Sequence, residues 1–176
     1  MKREIYERQK KEAWNYFERA GIVVTPEEKE RIEVADFGLN RIEETGLQLL
    51  TYINTDRVCA KEMVLMPGQA CPEHRHPNCG GQPGKEETFR CRYGKVFLYV
   101  EGERMQVTGP IPEGVYTVFH EVVLLPGQQY TIQPDTLHWF KAGAEGAVIS
   151  EFSTRSCDET DVFSDPAIVR IPVMEG

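Results

Sequence analysis

The first twenty residues are densely charged, yet Tyr6, Ala13, Trp14 and Phe17 recur at the spacing of one helix face, which predicts an amphipathic helix. Gly21 stands where a left-handed cap would end it. Thr25-Pro26-Glu27-Glu28 then offers an N-cap, a proline at the first helical position and an acid three residues after the cap. A second short helix is expected from there to about Val34. From Gln48 onward the pattern changes to short runs of Val, Leu, Tyr, Phe and Thr, punctuated by Pro-Gly, Gly-Gly and Glu-Gly pairs. These runs predict strands over Leu49–Asn54, Lys61–Leu65, Thr88–Tyr93, Val96–Val100, Tyr116–Leu125, Gln129–Gln133, His138–Lys141 and Ala147–Phe152. Short strands joined by tight turns imply an antiparallel barrel or a two-sheet sandwich, flanked by the helices. A single domain is expected over 1–176, with a helical segment at 1–36, a β-barrel at 45–155 and a C-terminal tail at 156–176. No repeat of fixed length is visible, although Met66-Pro67-Gly68 and Leu125-Pro126-Gly127 are similar strand-ending turns, each preceding a histidine.

Composition narrows the partners. With 176 residues near the globular average, the chain is long enough to bury a sizeable core. A formal charge of −8 and a pI near 5.1 argue against nucleic acid or an anionic membrane, because phosphate binding needs concentrated Lys and Arg. A small neutral substrate, or one assisted by a cation, fits better. Met1 leads directly into Lys2-Arg3-Glu4 and no apolar stretch has signal-peptide or membrane-spanning length, so a cytoplasmic protein is expected. Cys59, Cys71, Cys79, Cys91 and Cys157 are odd in number and form no Cys-x-x-Cys pair, and they read as reduced thiols. Barrels with an appended helix commonly pair through strands, so a homodimer is expected.

The candidate chemistry centres on histidine. His74 and His76 are two apart, so on an extended chain both imidazoles project from one face and converge on one ion. Glu87 and His138 complete a set of three nitrogens and one oxygen, suited to Mn, Fe, Co, Ni or Zn. Glu151 interrupts the apolar run Ala147-Val148-Ile149-Ser150-Glu151-Phe152, where an acid costs free energy unless it is paired or functional. Lys85, two residues before Glu87, is placed to donate to a substrate oxygen. Plainer readings stand beside these. Cys71 and Cys79 bracket the histidines in a zinc-like spacing, Glu151 as an edge-strand charge and Lys85 as a solvated loop residue are ordinary, and His120 reads as a satisfied strand residue. Trp139 and Phe89 are either core or walls of a site. Arg90, Arg92 and Lys95 suggest a phosphate pocket, but alternation puts Arg90 and Arg92 on the face opposite Glu87, which favours a surface or interface role.

Gly68-x5-His74-x-His76 followed by Glu87-x6-Gly94 resembles the first conserved motif of cupins, and Gly127 through Pro134 to His138 resembles their second. The resemblance implies a double-stranded β-helix, a jelly-roll barrel, in which the two histidines, the glutamate and the later histidine bind one metal. Only Glu87, and not Glu86, keeps the six-residue gap to Gly94. The chain departs from the usual pattern in the ten residues Pro77 to Glu86, a turn-rich insertion expected to form a loop at the mouth of the site. Thr45-Gly46-Leu47-Gln48, Pro72-Glu73-His74-Arg75-His76-Pro77, Gly84-Lys85-Glu86-Glu87-Thr88-Phe89-Arg90, Ser150-Glu151-Phe152-Ser153 and Asp165-Pro166 are similar to the bacterial D-lyxose ketol-isomerases, over about Glu4 to Arg170. That likeness implies interconversion of D-lyxose with D-xylulose, and often of D-mannose with D-fructose, with a divalent metal that is typically manganese. It also implies that Lys85 and Glu151 are the catalytic pair.

Aldose to ketose conversion moves a proton between C2 and C1 through an enediol, and so requires a Lewis acid at the substrate oxygens and a base beside C2. The residues supply both. The same ligands also suit an iron dioxygenase, and a non-catalytic sugar-binding cupin is a third reading, though the chain carries no basic face for DNA.

Overall fold

Helix α1 (Arg3–Arg19) lays Ala13, Tyr16 and Phe17 against Leu50, Val64 and Val148 on the outside of a β-sheet, as its apolar spacing requires. A computed structural model gives this arrangement and describes residues 1–78 and 81–170. Gly21, at φ 71°, ends the helix, and the Ile22 N–H returns to the Phe17 carbonyl at 2.9 Å. Helix α2 (Pro26–Glu30) carries the expected capping box: Thr25 Oγ1 accepts from the Glu28 N–H at 3.2 Å, and Glu28 accepts from the Thr25 N–H at 2.9 Å. It stops short of Val34. Ile32, Val34 and Ala35 are buried, and Glu33–Ala35 form strand β1 against Leu47–Leu49, so sheet pairing takes residues that helical spacing also allowed.

The remaining strands are β2 (Leu47–Asn54), β3 (Cys59–Leu65), β4 (Ala70–Arg75), β5 (Glu87–Val100), β6 (His120–Leu124), β7 (Gln129–Ile132), β8 (His138–Ser153) and β9 (Val162–Phe163). Every pairing between them is antiparallel. Strands β5 and β8 pair from Glu87↔Ser153 to Val100↔His138 and form the spine of a curled sheet. One half of β8 also pairs with β3 and the other with β4, while β6 and β7 complete the β5 side.

Two expected strand pairs are therefore two continuous bent strands. Register shifts at Cys91/Tyr93 and Gly94/Val96 bend β5. At that bend Gly94 has φ 69°, and a Cβ there would lie 2.0 Å from the Gly146 carbonyl oxygen, so the close approach of the two spines requires glycine. Inside the curl Leu49, Met63, Phe89, Leu98, Phe140 and Ile149 form the core.

The expected strand Tyr116–Leu125 is reduced to β6, because the chain before it crosses the outer surface. There Tyr116, Val118 and Phe119 cover Tyr99 and Trp139, whose rings stack at 3.9 Å. Trp139 is thus core on the outer side and walls no inner site. Among the described residues no helix is long and apolar enough to cross a membrane.

Candidate metal centre

Strand β4 was not apparent from hydrophobic pattern, since Cys-Pro-Glu-His-Arg is mostly polar, yet Ala70 to His74 are all buried. Alternation holds at its end: His74 and His76 are buried and Arg75 between them is exposed. Register places His138, the first residue of β8, directly opposite His74. Ring centroids of the three histidines lie 4.3 to 5.4 Å apart, and their ligand atoms all lie within 4.8 Å of one another. Glu87, the first residue of β5, brings Oε1 to 3.0 Å from His138 Nε2 and 3.1 Å from His76 Nε2.

The other ring nitrogens fix the tautomers. His74 Nδ1 lies 2.8 Å from the Pro72 carbonyl, His138 Nδ1 2.9 Å from the Thr136 carbonyl, and His76 Nδ1 2.5 Å from Asp161 Oδ1. Carbonyl and carboxylate oxygens only accept, so all three Nδ1 atoms carry hydrogen and donate. In its neutral form each imidazole then presents its Nε2 lone pair to the shared space. His138 Nε2 is fully buried without an aligned hydrogen-bond partner, although Glu87 lies close by. A buried polar atom without a partner is costly, and a cation at this point would satisfy it. Three neutral imidazoles and a carboxylate therefore fit a divalent ion.

Electrostatics agree. Burial, then the neighbouring His138 and His76, hold His74 well below the usual imidazole range, so it is neutral as a ligand must be. Burial also opposes charge on His76, but Glu87 and the bond to Asp161 outweigh it and raise that imidazole to about 9. Carboxylates that favour a proton at His76 favour a metal cation in the same place. Burial alone would raise the Glu87 carboxyl, yet Lys85 and His76 hold it well below the carboxylate range.

Lys85 is no solvated loop residue. It is 9% exposed, with Nζ 2.7 Å from Glu87 Oε2 and 3.2 Å from Glu151 Oε1. Nor is Glu151 a water-facing edge charge: it is 3% exposed, points inward from β8 and accepts from Ser153 Oγ at 3.0 Å. The structure thus brings together all six residues singled out from the sequence. It adds Lys61, buried opposite Glu151 in register and donating to Ser156 Oγ at 2.9 Å, and Asp161. Lys61 lies in an ordinary strand, and Asp161 lies in the polar run Asp158-Glu159-Thr160-Asp161, so neither carried a sequence signal.

All of these except His138 line a cavity of about 40 Å³ with Phe89 among its walls. A cleft of about 800 Å³ reaches His76, Lys85 and Asp161 from outside, between residues 82–86 and 154–161. Pro77 and residues 82–86 of the insertion after His76 form one wall of that mouth.

The remaining candidates lie elsewhere. His120 sits on β6 with Nδ1 3.2 Å from the Glu103 carbonyl. Arg90 donates to Gln129 at 3.0 Å on the face opposite Glu87, and Lys95 lies 5.9 Å from the Phe97 ring centre. Cys71 packs in the core, while Cys79 and residues 171–176 of the expected tail fall outside the described residues.

A curled antiparallel sheet with a buried histidine cluster inside defines a cupin-type double-stranded β-helix. The L-ribose isomerase of Cellulomonas parahominis shares this fold with a TM-score of 0.77 and 19% identity, over 99% of this chain and 98% of that one. The L-ribose isomerase of Geodermatophilus obscurus shares it with a TM-score of 0.72 and 18% identity, over 95% and 94%. No protein-family model matches the chain. Sequence relatives are much nearer: a D-lyxose/D-mannose isomerase of Thermosediminibacter oceani is 65% identical over 161 residues, 89% of each chain. D-lyxose ketol-isomerases of Cohnella laeviribosi and of a Thermofilum species are 62% and 52% identical, over 90% and 98% of each chain. The chain belongs to the D-lyxose ketol-isomerase family.

Proposed function

We propose that this protein is a metal-dependent ketol-isomerase that interconverts D-lyxose with D-xylulose and D-mannose with D-fructose. The names of its relatives support the substrates. The observation that carries the chemistry is the buried Lys85–Glu151 pair beside three imidazoles whose Nε2 atoms face Glu87.

In this reading His74, His76, His138 and Glu87 hold one divalent ion, which supplies Lewis-acid stabilisation of the charge that develops on the substrate oxygens. Manganese is proposed as that ion on the family resemblance. Glu151 takes the proton from C2 of the open-chain aldose, and Lys85 gives a proton to the carbonyl oxygen at C1, leaving the C1–C2 enediol. Glu151 then returns its proton to C1 while the C2 hydroxyl proton goes back to Lys85, which yields the ketose and restores both residues. Lys85 Nζ lies between the carboxylates of Glu87 and Glu151. Neither dioxygen chemistry nor simple sugar binding needs such a proton-carrying pair.

Incubation of D-lyxose and D-mannose with manganese-loaded protein in D₂O tests this. Ketose formation from both sugars is expected, with deuterium entering C1 to the extent that the proton on Glu151 exchanges with solvent before its return, and no turnover of either sugar would contradict it. A homodimer belongs to the same reading, supported by an outer sheet face that exposes Tyr52, Ile53 and Phe152. So does a cytoplasmic location, supported by Cys59, Cys71, Cys91 and Cys157 being free thiols.

A further inference from the structure

Four consecutive residues near the end of the described chain meet four consecutive residues of the histidine strand in reverse order. Asp161 meets His76, Val162 pairs with Arg75, and Phe163 pairs with His74, its ring 5.4 Å from the imidazole. Ser164 closes the series on Glu73, through its N–H to the carbonyl at 3.1 Å and its Oγ to Oε1 at 2.6 Å. Glu73 is itself fully buried and also accepts from the N–H groups of Thr117 and Val118, so this end of the brace is fixed on both sides.

The three histidines are not held alike. His74 and His138 each donate Nδ1–H to a backbone carbonyl two residues earlier, an acceptor that the adjoining chain supplies. His76 lies just past the end of β4, and its acceptor comes from Asp161, 85 residues downstream. A neutral imidazole carries one N–H, and Glu87, 3.1 Å from His76 Nε2, competes for it on the wrong nitrogen. If Glu87 won, the Nε2 lone pair would be lost and one ligand with it.

We infer that Asp161 is a positioning residue for the metal: by accepting Nδ1–H from His76 it keeps Nε2 free for the ion and fixes the plane of the ring. This deepens the metal reading above and rests on it. A carboxylate in this place also makes the imidazole a better electron donor than a carbonyl would. The segment around Asp161 is thereby part of the site, although it lies beyond the barrel strands in sequence.

The test is metal affinity of the full chain, measured with Mn²⁺ and Co²⁺ in competition with a chromophoric chelator, alongside the visible spectrum of bound Co²⁺. Wild type is expected to hold one ion per chain. Asp161→Asn, which keeps shape and loses charge, is expected to bind roughly 10-fold more weakly, and Asp161→Ala up to roughly 100-fold more weakly. The Co²⁺ bands should shift in both, whether or not the metal-free melting temperature falls with loss of the bond to His76. Asp161→Glu, which restores the charge, should recover part of the affinity, and the Asn and Glu variants decide the matter if Asp161→Ala does not fold. Affinity unchanged in Asp161→Asn while wild type binds overturns this inference alone, as does a fall in metal-free melting temperature with affinity intact, the mark of a purely structural brace. Failure of wild type to bind, or full binding by His138→Ala, overturns the metal site and this inference together.

Discussion

At the scale of single residues, the candidate ligands were legible because each obeys a local rule. His74 and His76 are held on one face by strand alternation, and Glu87 and His138 stand at fixed distances from turn glycines. Lys61 and Asp161 obey no such rule. Their places follow from register between strands distant in sequence, which spacing along one strand does not encode. Of the buried acids, Glu151 is the one the mechanism requires: Glu151→Gln is expected to lower kcat by roughly 10²- to 10⁴-fold with one metal still bound, measured on D-lyxose. Loss of metal along with activity would instead make it part of the ion's support. Glu62 makes a different prediction. It is 7% exposed on the outer face of β3, and both its oxygens accept from Ser150 Oγ at 2.9 Å. Burial raises its carboxyl to about 7, and the Ser150 bond and Arg92 only partly offset this. The folded value lies above the unfolded one, so its contribution is complete below the ordinary carboxylate range, falls as pH rises towards 7, and is level above that. Glu62→Gln should therefore gain stability relative to wild type between pH 5 and pH 8, by on the order of 1 kcal/mol. Urea unfolding at the two pH values checks it, and a pH-independent difference would contradict it.

At the scale of elements, α1 was readable to within a residue or two because apolar spacing and Gly21 mark its face and its end. The start of α2 was equally plain, but its end was not, since Ile32 and Val34 suit either a helix face or an edge strand and β2 decides between them. Strands β5 and β8 were each read as two, because glycines that normally stop a strand here bend one. The bend makes its own prediction. Gly94→Ala would force a Cβ to 2.0 Å from the Gly146 oxygen at a φ of 69°, so destabilisation by about 2 kcal/mol or more is expected. For a chain of this size that is a fall in Tm of at least roughly 4 °C, checked by calorimetry. An unchanged Tm would mean that the two spines do not approach so closely at Gly94. Hydrophobic pattern marks neither β4, which is polar and shows itself only in the extended spacing of His74 and His76, nor the two-residue β9, yet together they carry and brace two of the three histidines.

At the scale of the whole molecule, the curl of the sheet gathers residues from β3, β4, β5, β8 and the segment before β9 around one small cavity. The outer face of the same sheet leaves Phe152 half exposed beside Tyr52 and Ile53. Sedimentation velocity should give twice the monomer mass, and Phe152→Arg should shift it towards one chain; a wild-type monomer at micromolar concentration would contradict the dimer. Turnover is expected to depend on one ion at the histidine cluster acting with Lys85 and Glu151. The most direct measurement is the rate of D-xylulose formation from D-lyxose before chelation, after complete metal removal, and after return of one equivalent of Mn²⁺. Loss of turnover on removal and its recovery near one ion per chain is the predicted result. A metal-free protein that keeps its full rate, or a reloaded one that binds an ion yet stays inactive, would contradict it.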